Sequence, residues 1–469
     1  MSKRLPATPA PGPLEAYIVP FDPLFAQRNQ RAAFRQYLAG LLLPTERNKT
    51  LTALANTEPL VGAQLPRAQQ LQWFLSESTW DAQALNTRRL ELLRSDARTA
   101  PTAAGVLVID ETGDRKAGTK TAHVGRQYLA NLGKIDNGVV SVSSLWADEQ
   151  IYYPLEVEPY TPAHHFARGK ADPAFRTKPE IALELVQRAV AAGIPFRAVV
   201  ADCFYGEHEA FRTGLHALPV GYVLALKPSH AWWHPADEIG SLSEAAHAVA
   251  WDGAEHPGEW VAIERQFRDG HSEIWWAVEV EVGPYGPNKG VRAVVVTTDP
   301  AQLPELTTWY LITNLPAPTS DRPTTSTLAA ASLEEVVRLY GLRMWVEQSY
   351  KQVKGALGWA EYQVRSDQAI RRHWTLVCCA FTFCWWHASH IAIANGKAER
   401  LPTAQLTTTE ATSATVERKK KQRRMAATSG RVAGGVAPGT GLVRALDHAG
   451  AILARVVTTA PTARAAATA

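Results

Sequence analysis

The sequence predicts an α/β protein: a core of strands and helices, interrupted by a β-rich insertion, with a helical N-terminal domain before it and a flexible tail after it. Three observations predict this. Two short apolar runs, GVLVID and FRAVVAD, each end in an acid, Asp110 and Asp202. The hydrophobic period changes from helical to strand-like near residue 101, and strand-like runs dominate again within 231–330. Finally, Ser332 to Leu357 repeats apolar residues at spacings of three, four and seven, as one amphipathic helix does.

The elements follow in order. Residues 1–13 are a Pro/Ala-rich leader with too little apolar content to order itself. Residues 14–100 carry three helical patterns, with Pro66 and Asp81 near helix starts. The first pattern holds Arg28, Arg31 and Arg35, and a small module with such basic faces suits docking on DNA. Each arginine also fits an ordinary solvated helix face. Residues 101–230 read as three strands, a helix closed by Gly193, a strand ending at Asp202, a short helix and a further strand. Residues 231–330 are the insertion, with turn residues at GPYGPNKG. Residues 331–399 return to the core with the amphipathic helix and then the apolar helix Trp374 to Ala394. Residues 400–469 turn to Ala, Thr and Gly around the basic run ERKKKQRR, which reads as a disordered basic tail.

Composition bounds the function. The net charge of +4, from 49 Lys+Arg against 45 Asp+Glu, requires any nucleic-acid footprint to be local. The four cysteines form no C-x-x-C pair, which fits reduced core residues of a cytosolic protein. The N-terminus has no apolar signal region. The apolar run 374–394 contains His387, Ser389 and His390, which favours a buried helix over a membrane span.

The acids carry the chemistry. If the strands ending at Asp110 and Asp202 are parallel neighbours, both carboxylates lie at the sheet edge where α/β sheets place ligands. Carboxylates that close raise each other's pKa unless a cation intervenes. Glu347, on the amphipathic helix, can complete a hard oxygen set suited to Mg²⁺, with Mn²⁺ as the alternative. Two such ions activate a water or hydroxyl and stabilise the leaving oxygen in phosphodiester chemistry. Either aspartate alone would read as a strand-end turn former.

Tyr340, Arg343, Glu347 and Lys354 have the spacing Y-x2-R-x3-E-x6-K on one helix stripe. With DETGDRK from Asp110 and ADCFYG around Asp202, they resemble the signature of a branch of the DDE insertion-sequence transposases. RQYLANLGKIDNGVVSV and YYPLEVEPYTP resemble the insertion sequence seven-zero-one group in particular. The resemblance spans roughly residues 15–395 and implies an RNase H-like catalytic core, in keeping with the strand order above. It implies metal binding and catalysis by Asp110, Asp202 and Glu347, and phosphate contacts by Tyr340, Arg343 and Lys354. Trp309, which also reads as a packed strand aromatic, would fill the stack left by a flipped base. Lys116 and Lys120, in the loop after the first acid, are further candidate DNA contacts; His123 is not expected to act as a base. The implied activity is cut-and-paste transposition on double-stranded DNA, at terminal inverted repeats and target, by a homodimer in the synaptic complex, in the nucleoid-associated cytoplasm. The alternatives are a catalytically silent DNA-binding descendant and another RNase H-like nuclease.

Overall fold

A computed structural model describes residues 7–394, apart from residue 11 and segments 44–47, 57–65, 234–238, 268–270, 281–290 and 319–326. The basic run at 417–424 and the rest of the tail lie outside the described residues, as do the insertion turn GPYGPNKG and most of the connector before the amphipathic helix.

The chain opens with helices α1 (Pro13–Ile18), α2 (Arg28–Leu42), α3 (Leu51–Leu54), α4 (Pro66–Ser76) and α5 (Ala82–Ser95). Asp81 caps α5, its carboxylate accepting from the Gln83 and Ala84 amides. Four strands follow: β1 (Val106–Arg115), β2 (Gly125–Leu129), β3 (Lys134–Ala147) and β4 (Tyr152–Tyr160). The short β2 was not anticipated from sequence. Next come α6 (Lys178–Ala191), β5 (Ala198–Ala201), α7 (Cys203–Gly206), α8 (Glu209–His216) and β6 (Tyr222–Leu226). A capping box of Thr177 and Glu180 starts α6.

The insertion supplies β7 (Ala231–Trp233), β8 (Ile239–Ser241), α9 (Leu242–Ala248), β9 (Val261–Gln266), β10 (Ser272–Val280), β11 (Arg292–Thr297) and β12 (Thr308–Thr313). β7 and β8 pair only with each other, but β9 to β12 extend the main sheet. β12 pairs antiparallel with β6, and the sheet runs β2-β3-β1-β5-β6-β12-β11-β10-β9, with β4 also on β3. The edge left open by β6 is thereby covered, which removes an exposed ladder of peptide groups.

The chain ends, as described, in α10 (Leu333–Gly341), α11 (Met344–Ala356) and α12 (Asp367–Ala394). The single helix expected over 332–357 is therefore two. At Gly341 to Arg343 the backbone tightens: Leu342 and Arg343 N–H reach the carbonyls of Leu339 and Tyr340, three residues back. Glycine is a weak helix former, and a three-residue turn redirects the axis at that point.

The N-terminal helices share one core with α12. Tyr37 Oη lies 2.8 Å from His373 Nδ1 of α12, and Tyr17 Oη donates to the Cys379 carbonyl at 3.0 Å. Arg372, also on α12, donates to the carbonyls of Leu75, Ser78 and Trp80. This corrects the expectation of a basic DNA-docking face on α2. Arg35 is buried on Glu15 and Asp22, and Arg31 donates to the Phe25 carbonyl; of the three, only Arg28 is exposed. The module was a poor place for free cations because it packs inward on α12. Cys378, Cys379 and Cys384 are buried thiols of α12, and no described helix is long and apolar enough to cross a membrane.

Arg89 on α5 holds the layers together. It is fully buried and donates to Asn86, to the carbonyls of Pro154 and Leu155 on β4, and to Thr382 on α12. Arg89→Met should strip the Arg89 donor from the buried Pro154 carbonyl, while Asn86 still serves the Leu155 carbonyl, and lower unfolding free energy by about 1–3 kcal/mol, read as a reduced urea midpoint with unchanged slope.

Candidate functional site

β1 and β5 are parallel neighbours, paired from Val106↔Ala198 to Ile109↔Ala201. The next residue on each is an acid, so Asp110 and Asp202 leave the shared ladder at the same level. Asp110 does not end its strand, as its sequence context suggested. The fourteen-residue β3 continues to pair with β1 as far as Arg115, while β5 stops. Asp202 caps α7, accepting from the Phe204 amide at 3.0 Å. Gly206 lets α7 sit against β6: a Cβ there would come within 1.9 Å of the Ala225 carbonyl.

Glu347 comes from the first turn of α11, and Arg343 sits at its N-cap position. The guanidinium of Arg343 is the meeting point. Nη2 lies 3.3 Å from Asp110 and 3.8 Å from Asp202, and Nη1 lies 3.1 Å from Glu347. Three acids from three distant segments thus share one cation. Burial holds the Asp110 carboxyl up at about 7, Asp202 and Glu111 add to the rise, and Arg343 opposes it without cancelling it. Glu347, by contrast, is well exposed.

Among the described residues, no three His, Cys, Asp or Glu side chains stand at the spacing of a formed metal site. The donor chemistry nevertheless fits a hard divalent cation. All three groups offer carboxylate oxygens, and one positive group already stands where they converge. The arginine itself is incompletely satisfied, since its buried Nε has no hydrogen-bond acceptor.

The other candidate residues divide. Tyr340 is buried with its ring 5.0 Å from that of Trp309. Trp309 is half-buried, 4.7 Å from Trp275 and beneath the guanidinium of Arg265 at 4.5 Å. Arg265, on β9, was missed by sequence reasoning. Nothing in its strand pattern identified the indoles it would cover. Lys354 pairs with buried Asp114 at 2.7 Å and donates to the Gly113 carbonyl, tying α11 to β1. Lys116 corrects the expectation of a free DNA contact. Its ammonium donates to the Ala360 and Tyr362 carbonyls and lies over the Tyr362 ring, and burial pulls its pKa down to about 8. Lys120 is exposed. His123, buried at positive φ, bridges Thr161 and Asp367 and so pins this loop to the start of α12.

Beside the acids, Glu111 is held by Lys178 at 2.6 Å and Tyr205 at 3.2 Å on the opposite face of β1. Sequence reasoning missed this pair too, because Lys178 is 67 residues away.

A family model described as "DDE superfamily endonuclease" matches residues 20–262. The chain is 34% identical over 366 residues to a protein of Microchaete diplosiphon named "Probable transposase for insertion sequence element IS701". That alignment covers 78% of this chain and 85% of the relative.

Asp110 gives a stability prediction. Its folded pKa, about 7, lies above the usual aspartate value, so the folded state binds the extra proton between about pH 4 and 7 and loses stability as pH rises through that window. Without divalent cation, Asp110→Asn should exceed the parent in stability by on the order of 2–4 kcal/mol above about pH 7, converging with it below about pH 4. Thermal melts across pH check this.

Proposed function

The chain belongs to the DDE superfamily, among its insertion-sequence transposases, and on that premise we propose that it carries out metal-dependent cut-and-paste transposition. In this reading the protein cleaves at the terminal inverted repeats of an insertion sequence and joins the freed 3′ hydroxyls to target DNA. The supporting observation is the convergence of Asp110, Asp202 and Glu347 on one cation, Arg343. These three acids would hold Mg²⁺, or Mn²⁺ in its place. When bound, the ions supply activation of the attacking oxygen and neutralisation of the leaving one.

The remaining roles fall to the chain's own side chains. Arg343 is planar and forked, so a DNA phosphate can replace the carboxylates as its partner. In that exchange the guanidinium vacates the acids as the substrate arrives. Lys354, now on Asp114, is close enough to β1 to hold α11 in place and to present charge to the backbone of the transposon end. Trp309 and Tyr340 form an aromatic wall beside Arg343, where Trp309 can replace a flipped base in the stack. Lys120 is the exposed loop cation for the same duplex. Two copies would act together, one on each end.

Strand cleavage and joining on duplexes carrying the element's own ends test this reading. Asp110→Asn, Asp202→Asn and Glu347→Gln should each lower cleavage by at least about 100-fold at saturating Mg²⁺. Full activity in any of them would overturn the assignment. End-specific binding by the parent with no nicking in either metal would select the silent descendant, in which Arg343 is a permanent counterion.

A further inference from the structure

Eight large apolar side chains are strongly exposed among the described residues, and three of them crowd onto one hairpin tip. Tyr128 is 56% exposed, Leu132 41% and Ile135 59%. They sit where β2 turns into β3 through a 3₁₀ turn, Ala130–Leu132, and Gly133 at φ 63°. Tyr128 and Ile135 are directly paired across the two strands, as are Arg126 and Asn137. A paired aromatic and β-branched residue standing in water has no role in the hairpin's own core, and such a patch marks a contact surface.

The charge around the patch selects the partner. From Arg115 to Val140 the chain holds five Lys or Arg and a single acid, Asp136. This short stretch alone matches the net charge of the entire protein, +4. Asp136 is already engaged by Arg115 and Lys134, while Arg115, Lys120, Arg126 and Lys134 are all exposed. Aromatic and aliphatic side chains ringed by cations fit duplex DNA, where apolar groups enter the minor groove and cations take the phosphates.

Register places the patch relative to the acids. Asp110, Thr112 and Asp114 pair with Ser143, Ser141 and Val139 of β3. Alternate residues of a strand share a face, so Asn137 and Ile135 continue that face, with Arg126 and Tyr128 beside them. The eight residue steps from Ser143 to Ile135 span about 26 Å, somewhat less than one turn of B-DNA. Gly138 pairs with both Arg115 and Gly125, so β2 lies on the far side of β3 from β1 and ends the sheet.

We propose that the β2–β3 hairpin tip, through Tyr128, Ile135, Arg126 and Lys134, is a second duplex-DNA contact about one helical turn from the catalytic acids. It rests on the transposase reading above.

The test uses the full chain and a fluorescent duplex of about 40 base pairs, roughly four turns, titrated over a range of salt. Arg126→Gln/Lys134→Gln should make the slope of log affinity against log salt shallower by about 1.8, two phosphates' worth. Tyr128→Ser/Ile135→Ser should weaken binding about tenfold with the salt slope retained. All four positions are on the surface, and unchanged melting curves confirm folding. Parent-like affinity and slope in both double variants would overturn the hairpin assignment alone. Failure of the parent protein to bind duplex would instead overturn the transposase reading and this inference with it. Sedimentation without DNA adds the third outcome: loss of a dimer in Tyr128→Ser/Ile135→Ser would assign the patch to a second copy of the chain and overturn the DNA proposal.

Discussion

The parallel ladder between β1 and β5 is the constraint on which the site depends. It brings two acids, 92 residues apart in the chain, to one level of one sheet face. Bringing them together creates an electrostatic problem, because a buried pair of carboxylates repels and desolvates at once. Arg343 answers that problem in the structure as it stands. It sits at the break between α10 and α11, at the N-cap position of α11. A straight helix over the same residues would place Arg343 and Glu347 on a continuous stripe, without the redirection at Gly341.

The second consequence concerns support. The acids are carried by backbone that is tied on both sides. Lys354 clamps α11 to β1 through Asp114, and Glu111 is clamped to α6 from the opposite face through Lys178. Beneath these, α12 joins the sheet to the N-terminal helices through buried arginines and hydroxyls rather than through apolar contact alone. The insertion extends the same sheet, so the aromatic wall of Trp309 and Trp275 is mechanically continuous with β6 and β5. A site built on such rigid elements is suited to chemistry in which positioning supplies much of the rate.

The same coupling explains why several cations are engaged within the protein. Arg31, Arg35 and Lys116 looked free because helix spacing and loop position say nothing about what lies opposite. Each is satisfied by carboxylates or carbonyls brought in from elsewhere. The cations that stay exposed, Lys120, Arg126 and Lys134, lie on the loop and hairpin after the first acid, where no described element packs over them.

Much of the architecture was legible from sequence: apolar runs ending in Asp110 and Asp202, alternating strands in the insertion, the apolar pattern of α12 and the stripe bearing Tyr340, Arg343, Glu347 and Lys354. These are local properties, written in periodicity and spacing. The tertiary structure alone decided that β12 joins β6, that the stripe breaks at Gly341, that Arg265 covers Trp309, and that one guanidinium serves three acids. Apart from the local turn at Gly341 and the Arg343–Glu347 contact, those outcomes depend on partners tens to hundreds of residues apart. Their energies arise from desolvation and charge, which take effect only when the chain has folded around them.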